Sequence, residues 1–97
     1  MLSDDKSVIW SVRAQKALIS TLTHIKYEDE GTAAALLRRV ENSTALLATQ
    51  PGMGTSTATP GVRRYAIPHT GHTIEYRSSN GGIQILRWYR QRQQQKP

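Results

Sequence analysis

The 97-residue sequence contains no cysteine and no apolar run of the length that crosses a membrane. Without cysteine, neither a disulfide nor a thiolate zinc site can hold the fold together. A membrane-spanning helix needs about 20 consecutive apolar residues, and the acidic residues of Met1–Lys6 do not fit the start of a signal peptide. A chain of this length forms one domain with one modest core. We therefore expect a single cytoplasmic domain over residues 1–97.

Acidic residues are nearly absent from the second half of the chain. Residues 51–97 contain one, Glu75, and carry a net charge of +6, whereas residues 1–50 are neutral overall. The basic residues of the second half are Arg63, Arg64, Arg77, Arg87, Arg90, Arg92 and Lys96. Arginine presents a planar fork of donors that fits phosphate or carboxylate groups. This segregated charge predicts an anionic partner, either nucleic acid or an acidic protein.

The first half has the pattern of one strand and two helices. Ser7–Trp10 is typical of a short strand, and Ser11 is a candidate N-cap for the helix that follows. Apolar residues then recur at spacings of three and four, at Ala14, Ala17, Leu18, Leu22 and Ile25. Thr32 is a candidate cap for the second helix, whose apolar stripe runs to about Thr49 before Pro51 ends it.

In the second half the pattern becomes that of strands. Residues 51–61 are rich in Gly, Thr, Ser and Pro and are predicted to form a surface loop. The predicted strands are Val62–Ile67, Thr73–Arg77 and Ile83–Arg90. Alternation places Ile83 and Ile85 on one face of the last strand and Trp88 on the other, and residues 91–97 are predicted to be a flexible basic tail. The order βααβββ predicts an α+β fold, with a helix hairpin packed on a small, mostly antiparallel sheet.

Several segments, in this order, resemble the RelE/ParE family of bacterial toxins. They are Val8–Trp10 ahead of the first helix, Ala33–Leu37 in the helix that runs into Gln50–Gly52, Gly61–Arg64, Gly71–Arg77 and Gly82–Arg87. The resemblance covers roughly residues 7–92. It implies a toxin from a type II toxin–antitoxin system, of the kind associated with plasmid stabilisation. It also implies a cognate acidic antitoxin that binds the toxin in a hetero-oligomer.

The family has two branches with different targets. Members that resemble RelE cut messenger RNA on the ribosome, whereas members that resemble ParE poison DNA gyrase. The ribonuclease branch places an arginine two residues after the turn glycine, where this sequence has Thr73. The segments Tyr76-Arg77 and Ile85–Arg87 look more like the ParE branch, although Arg90 stands where many ParE-like chains have histidine. The resemblance therefore implies growth inhibition through gyrase by a protein that needs no cofactor and is more a binder than an enzyme.

Candidate binding residues follow from the charge pattern and from this resemblance. Arginines alternate with aromatic side chains near the end of the last strand, a composition that suits an interface. The predicted target-binding residues are Arg87, Trp88, Tyr89, Arg90 and Arg92, with Trp88 equally compatible with a core position. The helices hold more leucine and alanine than so small a core needs, and the excess suits an antitoxin segment that folds on binding. The predicted antitoxin-binding residues are Leu18, Leu22, Leu36, Leu37, Arg63, Arg64 and Arg77.

Two other functions stay open. A ribosome-dependent mRNA endoribonuclease that uses no metal needs an acid, a base and cations around the phosphate. Its candidate residues are Arg63, Arg64, Arg77, Arg87 and Tyr89. His69 and His72 flank a glycine turn, so we expect them to face solvent, and with no third ligand nearby they do not predict a metal site. The other alternative is a small basic nucleic-acid-binding module, although a helix hairpin ahead of the sheet is unlike the common RNA-binding sheets.

Overall fold

Two helices cover one face of a five-stranded sheet. The computed structural model describes residues 7–91. Its elements are β1 (Ser7–Trp10), α1 (Val12–Glu28), α2 (Glu30–Thr49), β2 (Thr55–Ser56), β3 (Arg63–Ile67), β4 (His72–Ser79) and β5 (Gly82–Arg90). The strand order is β1-β5-β4-β3-β2, in which β1 runs parallel to β5 and every other pair is antiparallel. The predicted α+β class and helix hairpin are confirmed, and β2 is an additional short strand.

The helix boundaries follow from their capping side chains. Ser11 caps α1 as predicted, because its hydroxyl oxygen accepts a hydrogen bond from the amide of Ala14 at 3.1 Å. The prediction of Thr32 as the second cap is wrong. Asp29 caps α2 instead, since its carboxylate accepts hydrogen bonds from the amide of Gly31 and the hydroxyl of Thr32. One residue therefore connects two antiparallel helices, and those bonds lower the pKa of Asp29.

The segment after α2 contains a 3₁₀ turn and a short strand. Pro51–Met53 forms a 3₁₀ turn, and β2 pairs with the first residues of β3. Gly54 is buried, and its amide donates to the hydroxyl oxygen of Tyr76 at 2.9 Å, while the same hydroxyl donates to the carbonyl of Pro51 at 2.6 Å. Residues 51–61, predicted to form a surface loop, thus include a segment that Tyr76 ties to the sheet.

Removing the Tyr76 hydroxyl is expected to destabilise the fold. Tyr76→Phe leaves the Gly54 amide and the Pro51 carbonyl without their shared partner, so we expect a loss of about 1–3 kcal/mol in the free energy of unfolding. Tyr65→Phe is the matched control, because the Tyr65 hydroxyl makes no hydrogen bond with residues 7–91. Urea denaturation measures both variants. Equal stability of the two would show that the Tyr76 hydrogen bonds contribute nothing.

A bulge in β5 changes which residues face the helices. Glu75 pairs with Arg87 but Tyr76 pairs with Ile85, so Leu86 is an extra residue between the two pairs. The alternation restarts after it, and Ile83, Ile85 and Trp88 all join the core. The prediction that Trp88 lies on the opposite face from Ile83 and Ile85 is therefore wrong.

The core lies between the helices and the sheet. Its helix side comes from Ala14, Leu18, Leu36, Val40, Leu47 and Ala48, and its sheet side from Ile67, Ile74, Tyr76, Ile83, Ile85 and Trp88. The opposite face of the sheet is not covered by any element within the described residues. No helix of residues 7–91 combines the length and apolar character needed to cross a membrane. The predicted tail lies outside the described residues apart from Gln91, which the structure exposes.

Candidate functional site

Arginine side chains flank a single carboxylate on the face of the sheet that the helices leave free. Arg64 of β3, Glu75 of β4 and Arg87 of β5 are cross-strand neighbours. The Glu75 carboxylate lies 4.0 Å from Arg64 Nη2 and 3.7 Å from Arg87 Nη1. The Glu75 side chain is 16% exposed, but the two arginine side chains are 48% and 46% exposed. Both cations therefore remain within reach of a partner.

Tyr89 completes this group on the same face. Its hydroxyl donates to Glu75 Oε2 at 3.1 Å, and the Arg87 guanidinium carbon lies 4.9 Å from the centre of its ring. Arg87 and Tyr89 thus share a face of β5, as the alternation of side chains along a strand predicts. Burial is the main cause of a raised pKa for Tyr89, against which Arg64 acts to lower it. The four side chains are Arg64, Glu75, Arg87 and Tyr89, and we call them the arginine quartet after their two arginines. They form a surface that attracts anions, with the Glu75 carboxylate as an internal counter-charge.

Two further candidate arginines, Arg63 and Arg77, form no ion pair with Glu75 within residues 7–91. Arg63 is half-buried and donates from Nη1 to the carbonyl of Gly54 at 2.7 Å, so it helps to hold the segment after α2. Arg77 is exposed and, with Arg63, lines a cavity of about 490 Å³ beside the loop that precedes β3. Of the predicted ribonuclease residues, only Arg64, Arg87 and Tyr89 are brought together. Glu75 was absent from the predicted sites, although its isolation among basic residues was a signal for it.

The helix hairpin carries an apolar groove on its outer side. The groove has a volume of about 330 Å³, and Leu22 and Leu37 line it together with Ile19, Ala33 and Ala34. Ile19 and Leu37 are 53% and 37% exposed. Ile19 was absent from the predicted set, although its spacing of three from Leu22 puts both on one helix face.

Two of the predicted antitoxin-binding leucines belong to the core. Leu18 and Leu36 are 9% and 7% exposed and pack in the main cluster. Their side chains are therefore taken up by the fold, whereas those of Leu22 and Leu37 line the groove. The sequence could not separate these pairs, because neighbouring positions on a helix share similar apolar spacing.

Trp88 and His72 form a buried pair at the end of the sheet where β4 begins. The rings stack with their centroids 4.7 Å apart and 8° between their planes, and Trp88 Nε1 donates to Thr21 Oγ1 at 3.0 Å. Trp88 is thus a core residue in the free chain. The expectation that His72 faces solvent is wrong, since only 6% of it is exposed, whereas His69 is exposed as predicted. Burial is the main cause of a lowered pKa for His72, and the charge of Arg90 lowers it further.

The stability of the fold is expected to fall in mild acid because of His72. Its pKa lies below the ordinary value near 6.5, so on acidification the unfolded chain takes up a proton that the folded chain resists. We expect the melting temperature to decrease from about pH 7.5 to about pH 5.5. His72→Gln should flatten this dependence, and His69→Gln, at an exposed position, is the control. An unchanged slope in His72→Gln would contradict the assignment.

The remaining predicted target residues lie at or beyond the end of β5. Arg90 is exposed and pairs with His72 across the strands, while Arg92 lies outside the described residues. Within residues 7–91, no group of three His, Cys, Asp or Glu side chains could hold a metal ion. The described surface thus offers a cationic sheet face, a cationic strand end and an apolar helix groove, all suited to macromolecular partners.

The matches to known proteins cover most of this chain. The family model described as "ParE toxin of type II toxin-antitoxin system, parDE" matches residues 8–95. Among solved structures, the chain is similar to a chain of the "Chromosomal ParDE TA system from P. aeruginosa", with 23% sequence identity and a TM-score of 0.73. The match covers 91% of this chain and 98% of that one, and at this identity it is a likeness of fold. No curated protein matches the sequence significantly.

Proposed function

Because the chain belongs to the ParE toxin family of type II toxin–antitoxin systems, we propose that it inhibits DNA gyrase and is neutralised by a cognate acidic antitoxin. The observation that carries this proposal is the family match over residues 8–95. In this proposal the toxin acts in the cytoplasm, where gyrase and its DNA are found. It acts by binding and needs no cofactor.

The distribution of charge supports a binding mechanism. Arg64 and Arg87 present guanidinium groups from the free face of the sheet, and Arg90 extends the positive surface past the end of β5. Gyrase with its bound DNA offers carboxylates and phosphates, which are the partners that arginine recognises best. Glu75 holds Arg64 and Arg87 in place and is a positioning residue in this proposal.

An acidic antitoxin fits two surfaces on opposite sides of the molecule. The apolar groove between α1 and α2 would take hydrophobic side chains of a segment that folds as it binds. The arginine quartet and Arg77 would attract its carboxylates, and that contact would cover the cations used against the target. The toxin is then stored as an inactive hetero-oligomer.

One observation favours the ribonuclease alternative, and two oppose it. The quartet gathers Arg64, Arg87 and Tyr89, as an RNA-cleaving site would require. However, a raised pKa makes the Tyr89 phenol a poorer general base near neutral pH. Thr73 is buried at the position where the ribonuclease branch has an arginine. We therefore place gyrase inhibition first.

Inducing the toxin in cells without an antitoxin separates the two functions. Filamentation with DNA-damage induction is the result expected of a gyrase inhibitor, and loss of supercoiling by purified gyrase would support it directly. Rapid translation arrest, with new 5′ ends on ribosome-bound messages in primer extension, would promote the ribonuclease function. Co-expression of an unrelated acidic protein is the control for rescue, since only the cognate antitoxin should restore growth.

A further inference from the structure

All three histidines of the sequence meet at one end of the molecule. His24 comes from α1, His69 from the β3–β4 turn and His72 from the start of β4. They line two adjoining cavities of about 430 and 160 Å³ that share His72 as a wall. Arg90 lines the larger cavity and Arg39 the smaller one. We call the two cavities together the histidine cleft.

Cationic and titratable groups contribute to the lining of the cleft, and no carboxylate of residues 7–91 does. Arg90 and His24 line the larger cavity beside His72, and Arg39 and His69 line the smaller one. The Tyr89 hydroxyl points away from the cleft, to Glu75 on the other face of the sheet. The nearest acidic group on α1 is Glu28, which lies outside the lining and pairs with His24 at 3.7 Å on an exposed surface. A proton taken up by His72 therefore adds a positive charge that no carboxylate lining the cleft within residues 7–91 neutralises.

The hydrogen bond of His72 fixes which ring nitrogen titrates. Nδ1 lies 3.2 Å from the carbonyl oxygen of Thr70, and because a carbonyl only accepts, Nδ1 must carry the proton. Nε2 is then the nitrogen that gains a proton on acidification. An anion bound in the cleft would favour that charged form and oppose the effect of Arg90.

The apolar part of the lining identifies the kind of anion. The larger cavity is lined by Trp88 and Ile25, and the smaller one by Ile25, Ala35 and Leu36. A bare phosphate would leave this apolar surface uncovered, whereas a peptide can place aliphatic side chains against it and carboxylates against the cations.

We propose that the histidine cleft binds a segment of the antitoxin that carries both acidic and aliphatic side chains, and binds it more tightly as His72 takes up a proton. The proposal rests on the antitoxin-binding part of the proposed function and assigns it a place and a chemistry. A bound segment there would also cover Arg90, a residue proposed to contact the target. Antitoxin release would accordingly be favoured at higher pH.

The test follows the three histidine ring signals of the full-length chain by NMR. The probe is a short blocked peptide of leucines and glutamates, and the matched peptide has glutamine in place of each glutamate. We expect the acidic peptide to shift the His72 and His24 signals and to bind about fivefold or more tightly at about pH 6 than at about pH 8, because binding is linked to proton uptake. The glutamine peptide should bind weakly at both pH values.

Variants locate the site. Arg39→Gln with His69→Gln should weaken binding of the acidic peptide at about pH 6 about tenfold or more, because hydrogen bonds to its carboxylates are lost. Arg13→Gln with Lys16→Gln, at two exposed cations of α1 that line neither cavity, is the matched control and should bind like the parent chain. An equal loss in both variants would indicate general charge attraction and overturn the proposal.

Other outcomes also decide the question. Equal binding of the two peptides, or binding that does not change with pH, would overturn the proposal. So would inorganic phosphate shifting the ring signals as strongly as the acidic peptide, which would indicate a phosphate site. Failure of this inference is distinct from failure of the proposed function, because a cognate antitoxin that restores growth while leaving the histidine signals unmoved would refute only the histidine cleft.

Discussion

Replacing Gly82 by alanine is expected to lower the melting temperature by roughly 12–24 °C, which corresponds to a loss of about 3 kcal/mol or more in a domain of this size. A Cβ atom on Gly82 would overlap the carbonyl oxygen of Ser7 and lie 2.7 Å from the Ser7 amide nitrogen. These are backbone atoms of the paired strand, so no side-chain rotation can relieve the clash. The parallel β1–β5 pairing would have to open, which uncovers core residues behind it.

Gly52→Ala is the matched control for this substitution. A Cβ atom on Gly52 meets nothing within 4 Å, so alanine should change the stability by less than about 1 kcal/mol. Thermal denaturation followed by circular dichroism measures both variants. A decrease of less than about 5 °C for Gly82→Ala would mean that Ser7 moves aside while the rest of β1 stays paired.

Most of the fold could be predicted because its signals are local. The apolar spacing of α1 and α2 marks their buried faces, and Ser11 and Pro51 mark the start and the end of the hairpin. The change to alternating residues after the Pro51 segment predicts antiparallel strands. The cap of α2 was missed because Asp29 and Thr32 both suit a cap, and only the geometry of their hydrogen bonds separates them.

The candidate site was less accessible to sequence reasoning because it depends on pairing between distant residues. Arg64, Glu75 and Arg87 meet only because the strand register aligns them and the bulge at Leu86 shifts that register by one residue. Nothing in the composition of β5 marks this bulge. The same bulge places Trp88 on the helix side of the sheet, and His72 is buried because Trp88 stacks on it. The charge of the surface could be predicted, but its geometry could not.

The target-binding proposal predicts that three arginines can be removed without unfolding the protein. Arg87 is 46% exposed and Arg90 is exposed, so replacing both by alanine should cost little stability, since surface ion pairs contribute about 0–1 kcal/mol. With Arg92→Ala added, we expect inhibition of gyrase to weaken by about two orders of magnitude or more, as interface hot spots of about 2 kcal/mol or more are lost.

A control with the same loss of charge separates contact from general attraction. Arg13, Lys16 and Arg38 are exposed on the helices, away from the sheet face, and their triple alanine variant removes three charges as well. It should inhibit gyrase almost as well as the parent chain. Comparable losses in the two triple variants would show that net charge alone governs binding and would refute the assignment of Arg87, Arg90 and Arg92.

The same assays distinguish binding from proton transfer. A binder needs no acid or base, so Tyr89→Phe and His69→Gln should change supercoiling inhibition by less than about threefold, the effect of a lost surface hydrogen bond. A ribonuclease that used Tyr89 as its acid or base would lose about 10²–10⁴ in rate with the same substitution. Primer extension on ribosome-bound messages measures that rate. Two results together would refute gyrase inhibition: the parent chain cleaves messages but leaves gyrase unaffected, and Tyr89→Phe no longer cleaves them. The function of the arginine quartet would then be RNA cleavage.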